Sequence, residues 1–234
     1  MRKFWISAAA AALAVLLLYS ALSLNGEAQS LPDPDSPAAF ANPNDGIDYS
    51  GAKLHTIYLA GGCFWGVEAY LSRVYGVSDV TVGYAYGGGS GGGSGNADRK
   101  SENPAAHSEG SRESAPPDTP PSGYAETARV AYDPARISLE ELLSFFFRVI
   151  DPTTLNRQGE DVGTQYRSGV YYTDEADWTA VEAAIRRERS RYNQPIVTEA
   201  LPLGRFVAAA ESQQDYLDKH PSGYCSIDLH ALDE

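Results

Sequence analysis

The stretch Thr56-Ile57-Tyr58-Leu59-Ala60-Gly61-Gly62-Cys63-Phe64-Trp65-Gly66-Val67 changes its periodicity at the glycine pair. His55–Ala60 is a short apolar run and reads as a buried strand. Beyond the glycines, Val67, Leu71, Val74 and Tyr75 recur at helical spacing, with Glu68, Ser72 and Arg73 on the other side, so a helix is predicted over Phe64–Val74. Paired glycines allow a sharp turn and let a ligand approach the backbone. Cys63 then falls on the first turn of the helix, where free backbone N–H groups and the helix dipole favour thiolate. Phe64 and Trp65 add an apolar surface beside the sulfur. This combination describes a nucleophile with a small hydrophobic pocket. The competing reading is structural, because Cys63 and Cys225 are the two cysteines of the chain. Such a pair in an exported protein often forms a bridge, which over so long a loop contributes about 5 kcal/mol in the chain-entropy model. The Gly-Gly-Cys-Phe-Trp-Gly context favours chemistry.

Outward from this point, strands are predicted at Asp79–Tyr84, Ala125–Tyr132, Arg167–Tyr172 and around Ile196–Leu201. Helices are predicted at Leu139–Ile150, opened by the capping box Ser138-Leu139-Glu140-Glu141, at about Glu175–Tyr192, and at about Ala208–Lys219. Pro221-Ser222-Gly223 ends the last helix and leaves Cys225 in a mobile tail. The pattern is α+β, a mixed and mostly antiparallel sheet covered by amphipathic helices. Gly87–Ser122 carries Gly/Ser repeats, then charge, then a proline-rich run, with almost no large apolar residue; it is expected to be a flexible surface insertion.

The N-terminus reads as a targeting segment. Arg2 and Lys3 precede an apolar run to Leu24, and Gly26-Glu27-Ala28 fits a cleavage site, so residues 1–28 are a signal peptide or a membrane anchor. With the basic end inside, the remainder lies outside the cytoplasm, periplasmic or membrane-anchored. Residues 29–52, rich in Pro, Asp and Asn, form a linker to the domain at 53–234. The net charge of −13 argues against nucleic acid as a partner. The four histidines share no metal-ligand spacing with the cysteines, and no dinucleotide or phosphate-loop fingerprint occurs.

The chain resembles the A-type peptide methionine sulfoxide reductases. The matching motifs run in order: Gly62-Cys63-Phe64-Trp65-Gly66, Gly83-Tyr84, Ala125-Glu126, Tyr132-Asp133-Pro134, Phe146 through Asp151-Pro152-Thr153-Thr154, Asn156 through Ser168, and Gly223-Tyr224-Cys225. The expected architecture is a ferredoxin-like α/β sandwich. The resemblance implies that Cys63 attacks the sulfoxide sulfur, that Glu126 supplies the proton to the departing oxygen, that Tyr166 donates to the same oxygen, and that Asp161 orients Tyr166 or a water. Phe64 and Trp65 would receive the methyl group, with Tyr84 and Tyr124 as further substrate-binding candidates. Cys225 would close a disulfide with the Cys63 sulfenic acid, and an external dithiol of the thioredoxin type would reset it. No bound cofactor or metal is implied. The substrates would be oxidised proteins or free methionine sulfoxide, and the resemblance leans to a monomer.

One family feature is missing. The segment that carries a second oxygen-binding tyrosine and ends in His-Ala-Glu is replaced by Gly87–Ser122, which has no tyrosine, and Tyr124 stands for the histidine. Tyr84, Tyr86 and Tyr124 are the candidates to supply that hydroxyl. Two competing functions are a thiol peroxidase or general disulfide oxidoreductase, and an impaired relative that binds oxidised methionine. The absence of Cys-x-x-Cys speaks against the first. Retention of all five catalytic candidates speaks against the second.

Overall fold

Five strands of the chain close on themselves. In the computed structural model, which describes residues 42–88 and 118–232, the strands are β1 (His55–Gly61), β2 (Val77–Gly87), β3 (Ala125–Tyr132), the short β4 (Arg157–Gln158) and β5 (Asp161–Val162), β6 (Ser168–Tyr172) and β7 (Glu199–Ala208). The α-helices are α1 (Phe64–Leu71), α2 (Leu139–Arg148), α3 (Trp178–Arg189) and α4 (Tyr216–Lys219). All described residues fall in the unit Ala41–Glu234. The predicted leader at 1–28, the linker as far as 41 and residues 89–117 of the insertion predicted at Gly87–Ser122 lie outside the described residues, and Gly87 ends β2.

β1 pairs antiparallel with β3, from His55↔Tyr132 to Leu59↔Ala128, and on its other side with β6 through Tyr58↔Tyr171. β3 pairs with β2, β2 with β7, and β7 runs parallel to β6. The order β1-β3-β2-β7-β6 therefore returns to β1. The α+β class and the mostly antiparallel sheet hold, but the sheet is a closed barrel where a ferredoxin-like sandwich was expected. β6 hydrogen-bonds to strands on both of its sides, so no edge stays open. Ile57, Leu59 and Val170 from the barrel pack with Val67, Tyr70 and Leu71 of α1, Leu142, Leu143 and Phe146 of α2, and Val181 of α3.

α2 begins as its capping box predicts. The Ser138 hydroxyl accepts from the Glu141 N–H at 3.2 Å, and the Glu141 carboxylate accepts from the Ser138 N–H at 3.0 Å. Its buried face is Leu139, Leu142, Leu143, Phe146 and Phe147, a helical repeat. The predicted Glu175–Tyr192 helix divides into a 3-10 turn, Glu175–Asp177, and α3. Before β1, Asn44 donates to the Ser72 and Val74 carbonyls (3.0 and 2.9 Å) and accepts from the Gly76 N–H (3.0 Å), tying this segment to the end of α1.

The C-terminal third corrects two expectations. The strand predicted around Ile196–Leu201 runs instead from Glu199 to Ala208, because β2 supplies a partner along it: Ala85↔Phe206, Tyr84↔Val207 and Gly83↔Ala208. The helix predicted at Ala208–Lys219 is broken. The Gln214 side chain accepts from the Val82 N–H (2.8 Å) and donates to the Val82 and Ala209 carbonyls (3.0 and 3.1 Å). Asp215 is left-handed, with φ of 50°, so only Tyr216–Lys219 is α-helical.

Candidate active site

The turn between β1 and α1 sets Cys63. Gly62 has φ of 88°, and a Cβ there would stand 2.6 Å from Gln158 Cβ. Gln158 is itself buried, and its side-chain amide accepts from the Asp151 N–H (2.9 Å) and donates to the Asp151 carbonyl (2.7 Å). Only glycine meets both the angle and the contact. Cys63 is the N-cap of α1 and is 8% exposed. Burial pushes its thiol up to about 12; the Trp65 and Gly66 N–H groups pull the other way, and the charges of Glu126 and Asp161 add to the rise. The expected thiolate is therefore corrected. Two backbone donors do not offset the loss of water and two carboxylates, and resting Cys63 is a thiol.

Glu126 is the second residue of β3, is 9% exposed, and accepts from the Phe64 N–H at 3.2 Å. Burial pushes its carboxyl up to about 7, against the pull of the Phe64 N–H and with a further rise from Asp161. Tyr84 stands directly opposite Glu126 in the β2–β3 register. It is 1% exposed, and burial followed by the Glu126 charge pushes it up to about 12. Tyr166 ends the 3-10 turn Thr164–Tyr166. Its hydroxyl is raised by burial and then by Glu126, Asp161 and Cys63, so it shares their field. Asp161 comes from the β4–β5 ladder and accepts a long hydrogen bond, 3.4 Å, from the Tyr224 hydroxyl. The structure thus brings together Cys63, Glu126, Asp161, Tyr166 and Tyr84.

Around them lies an aromatic wall. Phe64, Val82, Tyr84 and Ala209 are buried together, with Trp65 and Tyr124 packed against them. The Phe64 and Tyr84 rings are 5.5 Å apart. Trp65 stacks on Tyr216, with centroids 3.8 Å apart and planes 12° apart. Tyr124 packs edge-on against Tyr86 at 4.9 Å. Of the three tyrosines considered for the missing hydroxyl, Tyr84 is the one paired with Glu126.

Cys225 is half-buried and its thiol donates to the Ile227 carbonyl at 3.2 Å. A Cβ on Gly66 would lie 3.2 Å from its sulfur, so Cys225 sits over the first turn of α1, the helix that Cys63 caps. Both thiols are free. Gln158 and Tyr224 lie within the matched motifs but carried no assigned role, and Tyr216 lay outside them. Tyr224 adjoins Cys225 in the chain and carried a signal; Tyr216 carried none.

A family model for peptide methionine sulfoxide reductase matches residues 55–98 and 117–234. The chain belongs to this family. Mxr1 from Saccharomyces cerevisiae, in its reduced form, is 35% identical over 78% of this chain and 94% of its own, with a TM-score of 0.58. Methionine sulfoxide reductase A of Corynebacterium diphtheriae is 28% identical over 83% of this chain and 86% of its own, with a TM-score of 0.56. The chain is a peptide-methionine (S)-S-oxide reductase of the A type, and the family model spans Cys63, Glu126, Asp161, Tyr166 and Cys225.

Proposed function

We propose that this reductase uses Cys63 as nucleophile and Glu126 as acid, and passes its oxidation on to Cys225. The observation that carries the reading is the buried Glu126 carboxyl on the Phe64 N–H beside Cys63, with its pKa raised to about 7. A carboxyl there holds a proton near neutral pH and can give it up. The Cys63 sulfur attacks the sulfoxide sulfur while Glu126 protonates the oxygen. Tyr166 and Tyr84 donate to that oxygen, and Asp161 orients Tyr166 or a water. Phe64 and Trp65 enclose the methyl group, with Tyr124 at their rim. The S–S bond made in the attack and the S–O bond of the substrate both break as the protonated oxygen passes to the Cys63 sulfur; methionine leaves, and Cys63 carries the oxygen as a sulfenic acid. The methionine sulfur gains two electrons and Cys63 loses two. The thiol proton of Cys63 returns to Glu126.

Cys225 then attacks the sulfenic sulfur. The hydroxyl leaves as water with the Cys225 proton, and a Cys63–Cys225 disulfide forms. An external dithiol of the thioredoxin type reduces it by exchange, so no bound cofactor takes part. The substrates are oxidised proteins or free methionine sulfoxide. The basic and apolar leader supports a location outside the cytoplasm, in the periplasm or on the membrane, and the net charge of −13 supports the absence of nucleic-acid partners. The enzyme acts as a monomer.

The test is reduction of the separate S and R epimers of N-acetylmethionine sulfoxide by the full chain with dithiothreitol, beside Cys63→Ser. Turnover of S alone, abolished in the variant, is expected. A folded wild-type chain that turns over neither epimer would overturn the reading and favour a module that only binds. A phosphatase that needs disulfides, fused after residue 52, is expected to be active; an inactive fusion would put the domain inside the cytoplasm.

A further inference from the structure

We infer that Glu68 is a positioning residue for the substrate pocket: its buried carboxyl group clamps the turn at Asp215 that lays Tyr216 flat on Trp65. The inference rests on the reading of Trp65 as a wall of the methyl pocket. Glu68 lies on α1, is 4% exposed, and accepts from the Asp215 N–H at 2.9 Å. Asp215 is one of two non-glycine residues with positive φ among the described residues, and its side chain makes no capping hydrogen bond. A left-handed aspartate persists only where its surroundings hold it there. Those surroundings are two anchors. Gln214, one residue earlier, is bound to the backbone of β2. Glu68 takes the next N–H from the side of α1, and Arg73, in the turn just past the end of α1, pairs with Asp218 at 2.8 Å.

Tyr216 follows immediately. Its ring lies 3.8 Å from that of Trp65, while Phe64 is 6.4 Å away and tilted. The Trp65 indole N–H is buried and has no hydrogen-bond partner among the described residues. No polar contact among them sets the rotation of the indole, and the stack with Tyr216 does so. Glu68 takes no part in the chemistry at Cys63, where the carboxylates that act on the thiol are Glu126 and Asp161. Its effect passes through Asp215 and Tyr216 to the pocket wall.

Three variants of the full chain test this. Glu68→Gln keeps an acceptor oxygen for the Asp215 N–H and is expected to leave KM and kcat within about twofold of wild type. Glu68→Met keeps the volume and removes the acceptor; KM for the S-sulfoxide is expected to rise about tenfold with kcat within about twofold, the pattern of lost uniform binding. Tyr216→Leu is expected to raise KM by a similar factor, and Glu68→Met is expected to add nothing on top of it, since coupled residues are not additive. Trp65 emission, taken as the difference from Trp65→Phe in each background, should move to the red in Glu68→Met and Tyr216→Leu and stay in place in Glu68→Gln. The emission needs no turnover. Should the wild-type chain reduce neither epimer, the proposed function falls while the emission still decides the clamp. Glu68→Met with unchanged KM and unchanged emission would overturn the inference. So would Tyr216→Leu with unchanged KM, which decides the matter even where Glu68→Met does not fold.

Discussion

Glu126 and Cys63 hold their protons for the same reason, burial, and at neutral pH the site rests as a thiol beside a half-protonated acid. The acid form is the one that donates. We expect kcat/KM for the S-sulfoxide to fall as pH rises through about 7, following the Glu126 carboxyl. Glu126→Gln should cost about 10²–10⁴ in rate and lose that limb of the profile. A limb that survives the substitution would assign it to another group. The same shift bears on stability. Glu68 and Glu126 both stand at about 7, above the ordinary 4.5, so the native state keeps protons that the unfolded chain has released. Their contribution is fully present below about 4.5 and is lost as pH rises through about 7. Urea unfolding at pH 5 and pH 8 should therefore show higher stability at pH 5, with the difference reduced in Glu126→Gln by on the order of 2 kcal/mol.

Two elements make separable predictions. α2 carries none of the site residues, and its capping box is exposed. Ser138→Ala should lower unfolding free energy by about 1 kcal/mol and leave turnover unchanged; a loss of activity without loss of stability would contradict that separation. α1 is different, because its third residue, Gly66, makes room for Cys225. An added Cβ would meet the Cys225 sulfur at 3.2 Å and Ile227 at 3.3 Å. Gly66→Ala should strengthen the helix by about 1 kcal/mol of propensity, yet displace the segment that carries the second thiol. After one equivalent of sulfoxide, methionine yield should be kept while the loss of the second thiol slows, as read by thiol titration. Equal rates of both steps would mean that Cys225 reaches Cys63 without resting on α1.

At the scale of the whole molecule, the barrel lets the chain carry residues 89–117 between two strands that are already neighbours. Ala85 of β2 pairs with Ala125 of β3, so the chain leaves one strand and returns to its neighbour. Replacing 89–117 with a short Gly/Ser link should leave Tm equal or a few degrees higher, because loop closure becomes cheaper by only about 1 kcal/mol. A large fall in Tm would show that the insertion packs on the domain. The strand–turn–helix around Cys63 and the Ser138 cap were legible because periodicity, capping chemistry and backbone freedom act within a few residues. Glu126, Asp161, Tyr166 and Cys225 were legible only through the family pattern, since nothing local in the chain assigns a lone carboxylate or tyrosine to a site. Barrel closure, the length of β7, the break of the last helix at Asp215 and the meeting of Glu68 with its N–H were not legible. They depend on partners far apart in the chain, such as Val82 with Gln214 and Glu68 with Asp215. The protonation of Cys63 belongs with them. The sequence by itself determined that a thiol starts a helix beside two aromatic rings; the tertiary structure decided its charge, because burial and the neighbouring carboxylates outweigh the two N–H groups of its own helix.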